Sequence, residues 1–231
     1  MWQAEIERFA SAARVIAPDL PGFGRSPRLA EPSIPAVAQS VAGLLDGLGI
    51  SQPVIVAGLS MGGYVAFEFL RKFPGRVKAL GLFSTKAAPD SMEQRQGRLK
   101  LVDSLTQTGM DALMRTTVPK LLGPTTVSRR PAVAAEVERA VRAARVDGVI
   151  DALRAMAARR DSQPLLASVM CPTLVVAGSE DRVIPIAESE AMAKAIPGAR
   201  LEVVPEAGHL VNLERPDAFQ AAVEPWLRQV A

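Results

Sequence analysis

The sequence has 231 residues, of which 48% are hydrophobic and 22% charged. That is enough chain for one substantial core and too little for two independent ones. Its 27 basic and 24 acidic residues leave a net charge of +3, and only 4% of residues are aromatic. The basic residues are scattered in short pairs such as Arg71-Lys72, Arg129-Arg130 and Arg159-Arg160. This excludes nucleic-acid binding as the leading function, because that asks for a clustered basic face interleaved with aromatics. A single cysteine, Cys171, and a single histidine, His209, exclude an internal disulfide, a cysteine-based metal site and a multi-histidine metal site. No cofactor is expected.

The first residues carry Glu5 and Glu7 where a signal peptide would be basic and then apolar. Residues 4–13 read as a short amphipathic helix and 14–17 as a strand running into the turn-rich loop 18–24. In 34–48, Val37, Val41, Leu44, Leu45 and Leu48 have the spacing of one helix face, closed by Gly49. The β-branched run 54–57 predicts a parallel strand buried on both faces. A helix over 61–73 follows, stopped by Pro74-Gly75, and 77–83 is a further buried strand. The apolar stretch 54–70 superficially mimics a membrane span. Ser60, Glu68 and the glycines at 58, 62 and 63 interrupt it, so strand plus helix fits better. The expected location is cytoplasmic, with no membrane partner.

Residues 86–163 change character, being rich in Arg, Ala and Met, punctuated by Pro and Gly, and lacking strand-like runs. They read as three or four amphipathic helices. The strand–helix pattern resumes with a strand at 173–177, a helix at 186–196, a strand at 200–204 and a terminal helix at 216–229. Alternation of this kind argues for an α/β fold with a parallel sheet and helices on both faces. The helical block is then an excursion over one end of the sheet. The expected division is a core over 1–85, a helical cap over 86–165 and the rest of the core over 166–231.

Gly58-Leu59-Ser60-Met61-Gly62 matches G-x-S-x-G between a strand and a helix, the context in which that motif lifts a serine out of a sheet. Gly58 and Gly62 are expected to provide backbone clearance at the sharp turn. Ser60 then sits at a helix N-terminus, whose partial positive charge favours a developing oxyanion. The bland alternative is that small residues merely let the helix pack closely. A serine nucleophile needs a base, and the only imidazole, His209, follows the strand 200–204. The base needs a carboxylate to fix its tautomer. Glu180 and Asp181 follow the strand 173–177, and Asp181 is preferred; either carboxylate could instead cap the next helix. Serine, acid and histidine thus follow three strands in chain order.

With these residues in place, the chain resembles an α/β-hydrolase fold enzyme of the esterase and lactonase kind. The matches include 17–26 (APDLPGFGRS), the elbow with Gly63, 178–185 (GSEDRVIP) and 207–209 (AGH). The resemblance is weakest across 86–163, where the family keeps a variable cap. Ser60 argues against haloalkane dehalogenases and epoxide hydrolases, which carry an aspartate there. The resemblance implies a cofactor-free hydrolase of a small carboxylic ester or lactone, acting through an acyl-enzyme with Ser60, His209 and Asp181. The Met61 N–H would be one oxyanion donor. Carbon–carbon bond hydrolysis and perhydrolysis use the same triad, and a weakly catalytic or non-catalytic ligand-binding sensor is the rival of a different class.

One departure bears on this reading. The family opens with a strand hairpin and a third strand ending in a His-Gly loop, which supplies the second oxyanion N–H. The sequence starts in what resembles the helix after that loop. Three explanations stay open: an internal start, a shortened form that dimerises, or a weak relative. In a shortened active form, backbone amides near Gly22–Gly24 are the expected substitute donors. A homodimer is a possible assembly. Gly22-Phe23-Gly24 reads as a tight turn rather than a phosphate loop. Met92, Met110, Met114 and Met156 read as helix packing in preference to a substrate pocket, and Cys171 as a buried inert thiol.

Overall fold

The computed structural model describes residues 1–231. Helices α1 (Gln3–Phe9) and α2 (Ile34–Gly47) precede strand β1 (Val54–Leu59), α3 (Met61–Lys72) and β2 (Val77–Phe83). A run of helices then follows: α4 (Met92–Thr108), α5 (Asp111–Thr116), α6 (Val118–Leu121), α7 (Pro124–Arg129), α8 (Pro131–Ala143) and α9 (Val146–Ala157). The chain returns to the sheet with β3 (Thr173–Gly178), α10 (Ile186–Ala195) and β4 (Arg200–Val204), and ends with α11 (Val211–Glu214) and α12 (Pro216–Val230).

The four strands lie in the order β1-β2-β3-β4, each paired in parallel with the next. Parallel strands need helical crossovers; α3 and α10 cover one face of the sheet, and α1 and α12, at the two ends of the chain, cover the other. Side-chain alternation divides the core accordingly. Leu80, Leu82 and Val175 join α2, α3 and α10 on one face, through Ile34, Val37, Phe67, Phe69 and Met192. Ala79, Phe83, Leu174 and Val176 join α1 and α12 on the other, through Phe9, Phe219, Val223 and Trp226. Phe67 and Phe69 are fully buried, each contributing about 1.5–3 kcal/mol of transfer free energy. Local signals set the ends of α2 and α3. Ser33 caps α2 by accepting from the Ala36 N–H, with Pro35 in the first turn, and Pro74 follows α3.

The structure corrects several sequence expectations. The run 54–57 is a strand but is not buried on both faces: β1 lies at the end of the sheet, so Val54, Ile55 and Val56 are half-buried and Ala57 is exposed. Residues 14–17 belong to no strand, and Val15 and Ile16 are 36% and 37% exposed. A strand exists by its ladder, and no neighbour in the sheet pairs with this stretch; β1 is an outer strand. Helix α1 ends at Phe9 instead of continuing to 13. The block between β2 and β3 holds six helices, not three or four. Gly109 at φ 61° ends α4, and prolines in the first turns of α6, α7 and α8 start new helices. Proline lacks the N–H that would continue a helix but suits its first turn. These helices have a small core of their own, with Val102, Leu105, Ala112, Val149, Ile150 and Leu153 at its centre and Phe23 packed against it. No helix is long and apolar enough to cross a membrane.

Candidate active site

Parallel strands bring their carboxyl ends to one edge, and the three loops of interest leave from it. Ser60 follows β1 directly with φ 54° and ψ −115°, a sparsely populated conformation that persists only where the surroundings enforce it. They do so here with hydrogen bonds. The Ser60 N–H donates to Phe83 O at 2.9 Å, and the Ser60 carbonyl accepts from Gly63 N at 2.9 Å and from the buried Thr85 Oγ1 at 2.8 Å. Sterics add to this. A Cβ on Gly58 would run into the Gly62 peptide, and one on Gly63 would run into the Thr85 side chain. A Cβ on Gly62 would meet nothing, so clearance is needed at 58 and 63 rather than at 58 and 62. The Met61 N–H heads α3 and, like every first-turn amide, has no acceptor within its helix.

On the other side of the edge, Asp181 and His209 meet. His209 Nδ1 lies 2.8 Å from Asp181 Oδ2, and the two side chains are only 3% and 1% exposed. Asp181 Oδ1 accepts from the N–H groups of Val183 at 2.7 Å and Ile184 at 2.9 Å. One carboxyl oxygen is therefore occupied by backbone while the other faces the ring. A neutral imidazole in this contact carries its proton on Nδ1 and a free lone pair on Nε2. The Ser60 hydroxyl shares the edge with this pair and makes no hydrogen bond to the ring.

The alternative acid, Glu180, is occupied elsewhere. Its carboxylate accepts from Thr125 N at 2.9 Å and from Thr125 Oγ1 at 2.5 Å. The Thr125 hydroxyl holds its pKa below the usual carboxylate range. The loop 18–27 borders Met61: its Leu20 and Phe23 share an apolar pocket with Met61, together with Leu29 just beyond the loop and Ala155 of α9. Its amides, however, turn inward: Gly22 N donates to Pro27 O at 3.1 Å and Phe23 N to Leu20 O at 2.9 Å. Neither of these two is free to bind an oxyanion, which leaves Gly24 N as the one amide of the three expected donors without an acceptor. Arg28 reaches from the same loop to Asp151 of α9 through two hydrogen bonds of 2.6 and 2.9 Å. Met110 and Met156 pack on the core of the helical block, whereas Met92 is exposed. Cys171 is half-buried, and burial pushes its thiol pKa up.

Two further contributors carried no sequence signal. Thr85, just beyond β2, holds the Ser60 carbonyl. Glu214, at the end of α11, is 1% exposed and accepts from Gly123 N at 2.8 Å and Leu210 N at 3.1 Å.

A family model described as the alpha/beta hydrolase fold matches residues 1–216. The chain belongs to the α/β-hydrolase family. Among solved structures, this α/β-hydrolase is similar to a thermophilic esterase from Thermogutta terrifontis, solved with malate bound. The two share 38% identity at a TM-score of 0.96, over 99% of this chain and 85% of that one. An enol-lactonase from Burkholderia xenovorans LB400 matches at 28% identity and a TM-score of 0.89, over 98% of this chain and 85% of that one. Among curated proteins, 3-oxoadipate enol-lactonase 2 of Acinetobacter baylyi is 29% identical over 230 residues, spanning 99% of this chain and 84% of the relative. These three relatives are an esterase and two enol-lactonases.

Proposed function

We propose that this α/β-hydrolase cleaves small carboxylic esters or lactones through an acyl-enzyme on Ser60. The observation that carries the reading is the buried 2.8 Å contact between His209 Nδ1 and Asp181 Oδ2, on the sheet edge where Ser60 is held in its strained turn. His209 Nε2 removes the Ser60 proton as Oγ attacks the carbonyl. Asp181 orients the ring and stabilises the imidazolium without taking the proton. The Met61 N–H, at the positive end of α3, donates to the oxyanion. Collapse of the tetrahedral intermediate expels the alcohol, which receives the proton from His209. Water, deprotonated by the same ring, then attacks the acyl carbonyl and restores Ser60. In unliganded sites the nucleophile–base contact is commonly long and tightens in the Michaelis complex.

The relatives named as an esterase and enol-lactonases support ester or lactone chemistry. A second reading, a ligand-binding protein of low turnover, draws on the inward-turned amides of Gly22 and Phe23. Loss of one oxyanion donor costs about 10²–10³ in rate. Hydrolysis of short-chain p-nitrophenyl esters by the wild type and by Ser60→Ala tests both. Turnover lost in the variant supports the hydrolase. Serine-specific phosphonate labelling of wild type without ester turnover supports the binding protein, and turnover unchanged in Ser60→Ala overturns the assignment.

A further inference from the structure

The helical block and the histidine loop are tied by a set of buried and half-buried polar contacts that the proposed chemistry does not use. The Leu121 carbonyl, at the end of α6, accepts from His209 N at 3.2 Å and from Leu210 N at 3.3 Å. Two residues on, Gly123 N donates to Glu214 Oε2 at 2.8 Å, while Glu214 Oε1 accepts from Leu210 N at 3.1 Å. Thr125 donates twice to Glu180, next to Asp181. The segment from Leu121 to Thr125 therefore reaches the acid loop with one end and the histidine loop with the other. Close packing supports this bridge. A Cβ on Gly208 would run into Gly123 N and the Leu122 carbonyl carbon, and one on Gly123 would meet Gly208 N and the Glu180 side chain. The two glycines let the backbones touch, so the helical block cannot move at this point without moving the peptide that carries His209.

We infer that Glu214 is a positioning residue for His209, acting by clamping the Leu210 and Gly123 amides together beneath the histidine loop. The inference rests on the proposed role of His209. Each Glu214 oxygen accepts from one N–H, that of buried Gly123 on one side of the junction and that of half-buried Leu210 on the other. Losing Glu214 leaves the buried Gly123 N–H unpaired and Leu210 N with only its longer bond to the Leu121 carbonyl, so the peptides must shift to compensate. A shift of the base by about 1 Å costs up to about 10²-fold in rate. The block's attachment here is thus a fixed anchor, and any opening movement belongs to its helices on the far side.

The test uses the full chain and exploits its single histidine, whose imidazole NMR signals need no assignment. Glu214→Gln keeps the side-chain size but sets an NH₂ group against one of the two amides. The expected result is a folded protein in which kcat on a short-chain p-nitrophenyl ester falls about 10–100-fold with KM little changed. In parallel, the Nδ1–H signal of His209 shifts and exchanges faster with water. Thr125→Val, which removes one donor to Glu180, should move both readouts the same way and less. Wild-type imidazole signals or wild-type kcat in folded Glu214→Gln overturn the inference. Should that variant not fold, unchanged readouts in Glu214→Asp, whose shorter side chain cannot hold both amides at these distances, overturn it. If the wild type turns over no ester, or Ser60→Ala retains turnover, the catalytic reading fails separately and the imidazole signals alone decide whether Glu214 positions the ring.

Discussion

Ser60 and the Asp181–His209 pair share one edge of the sheet but are held by different means. The serine side is a matter of space. A backbone forced to φ 54° survives because Gly58 and Gly63 carry no side chain where the Gly62 peptide and Thr85 must fit. The acid–histidine side is a matter of polar satisfaction, with Asp181 bonded by two amides and the ring. Glu180 and Glu214 then fasten it to the helical block. Ser60 and His209 follow the two outer strands, β1 and β4, whereas Asp181 follows β3, which is flanked on both sides. The difference teaches that the serine side should fail through added volume and the histidine side through lost hydrogen-bond partners.

The largest expected effects are on chemistry. Ser60→Ala and His209→Ala should each lower kcat by about 10⁶-fold in a fully equipped site, and Asp181→Asn by about 10⁴-fold through the wrong tautomer. Ester kinetics beside thermal melts check that the fold is kept. Next comes a steric pair on the serine side. Gly58→Ala should cost about 1–3 kcal/mol, the range for overpacking, and should abolish phosphonate labelling. Gly62→Ala, with nothing in its way, should be neutral or stabilising by up to about 1 kcal/mol. Urea unfolding separates the two, and equal costs would show that the turn is not limited by volume at 58.

The smallest effect concerns an exception on the histidine side. Glu5 of α1 is buried beside Asn212, and neither of its carboxyl oxygens has a hydrogen-bond partner. Burial raises its pKa in the folded state, so folding favours the protonated form. Stability is therefore undiminished below the ordinary glutamate value of about 4.3 and falls as pH rises through the window above it. Glu5→Gln should raise the melting temperature near neutral pH, and the gain should fade in acid. A gain independent of pH would contradict the assignment of the cost to ionisation.

Much of this was legible in the sequence because it depends on short-range pattern. The apolar runs 77–83 and 173–177 announce buried parallel strands, 54–57 announces a strand though not its half-buried place at the sheet's end, and the glycines around Ser60 announce a turn between strand and helix. What was not legible depends on partners distant in the chain. Residues 14–17 have strand-like composition but no ladder. Gly62 and Gly63 look alike until Thr85 is placed beside one of them. Asp181 and Glu180 are adjacent, and only the positions of His209 and Thr125 separate their duties. Glu214 looks like a surface residue ahead of Pro216, and it becomes a buried clamp once Gly123 arrives from 91 residues away.

The most direct measurement is the mass of the intact chain after reaction with an aryl phosphonate, followed by peptide mapping of the adduct. The expected result is one adduct per chain, on Ser60, absent from Ser60→Ala and slowed in Asp181→Asn. Modification of another residue, or an adduct that persists in Ser60→Ala, would contradict the claim that this strained serine is the nucleophile.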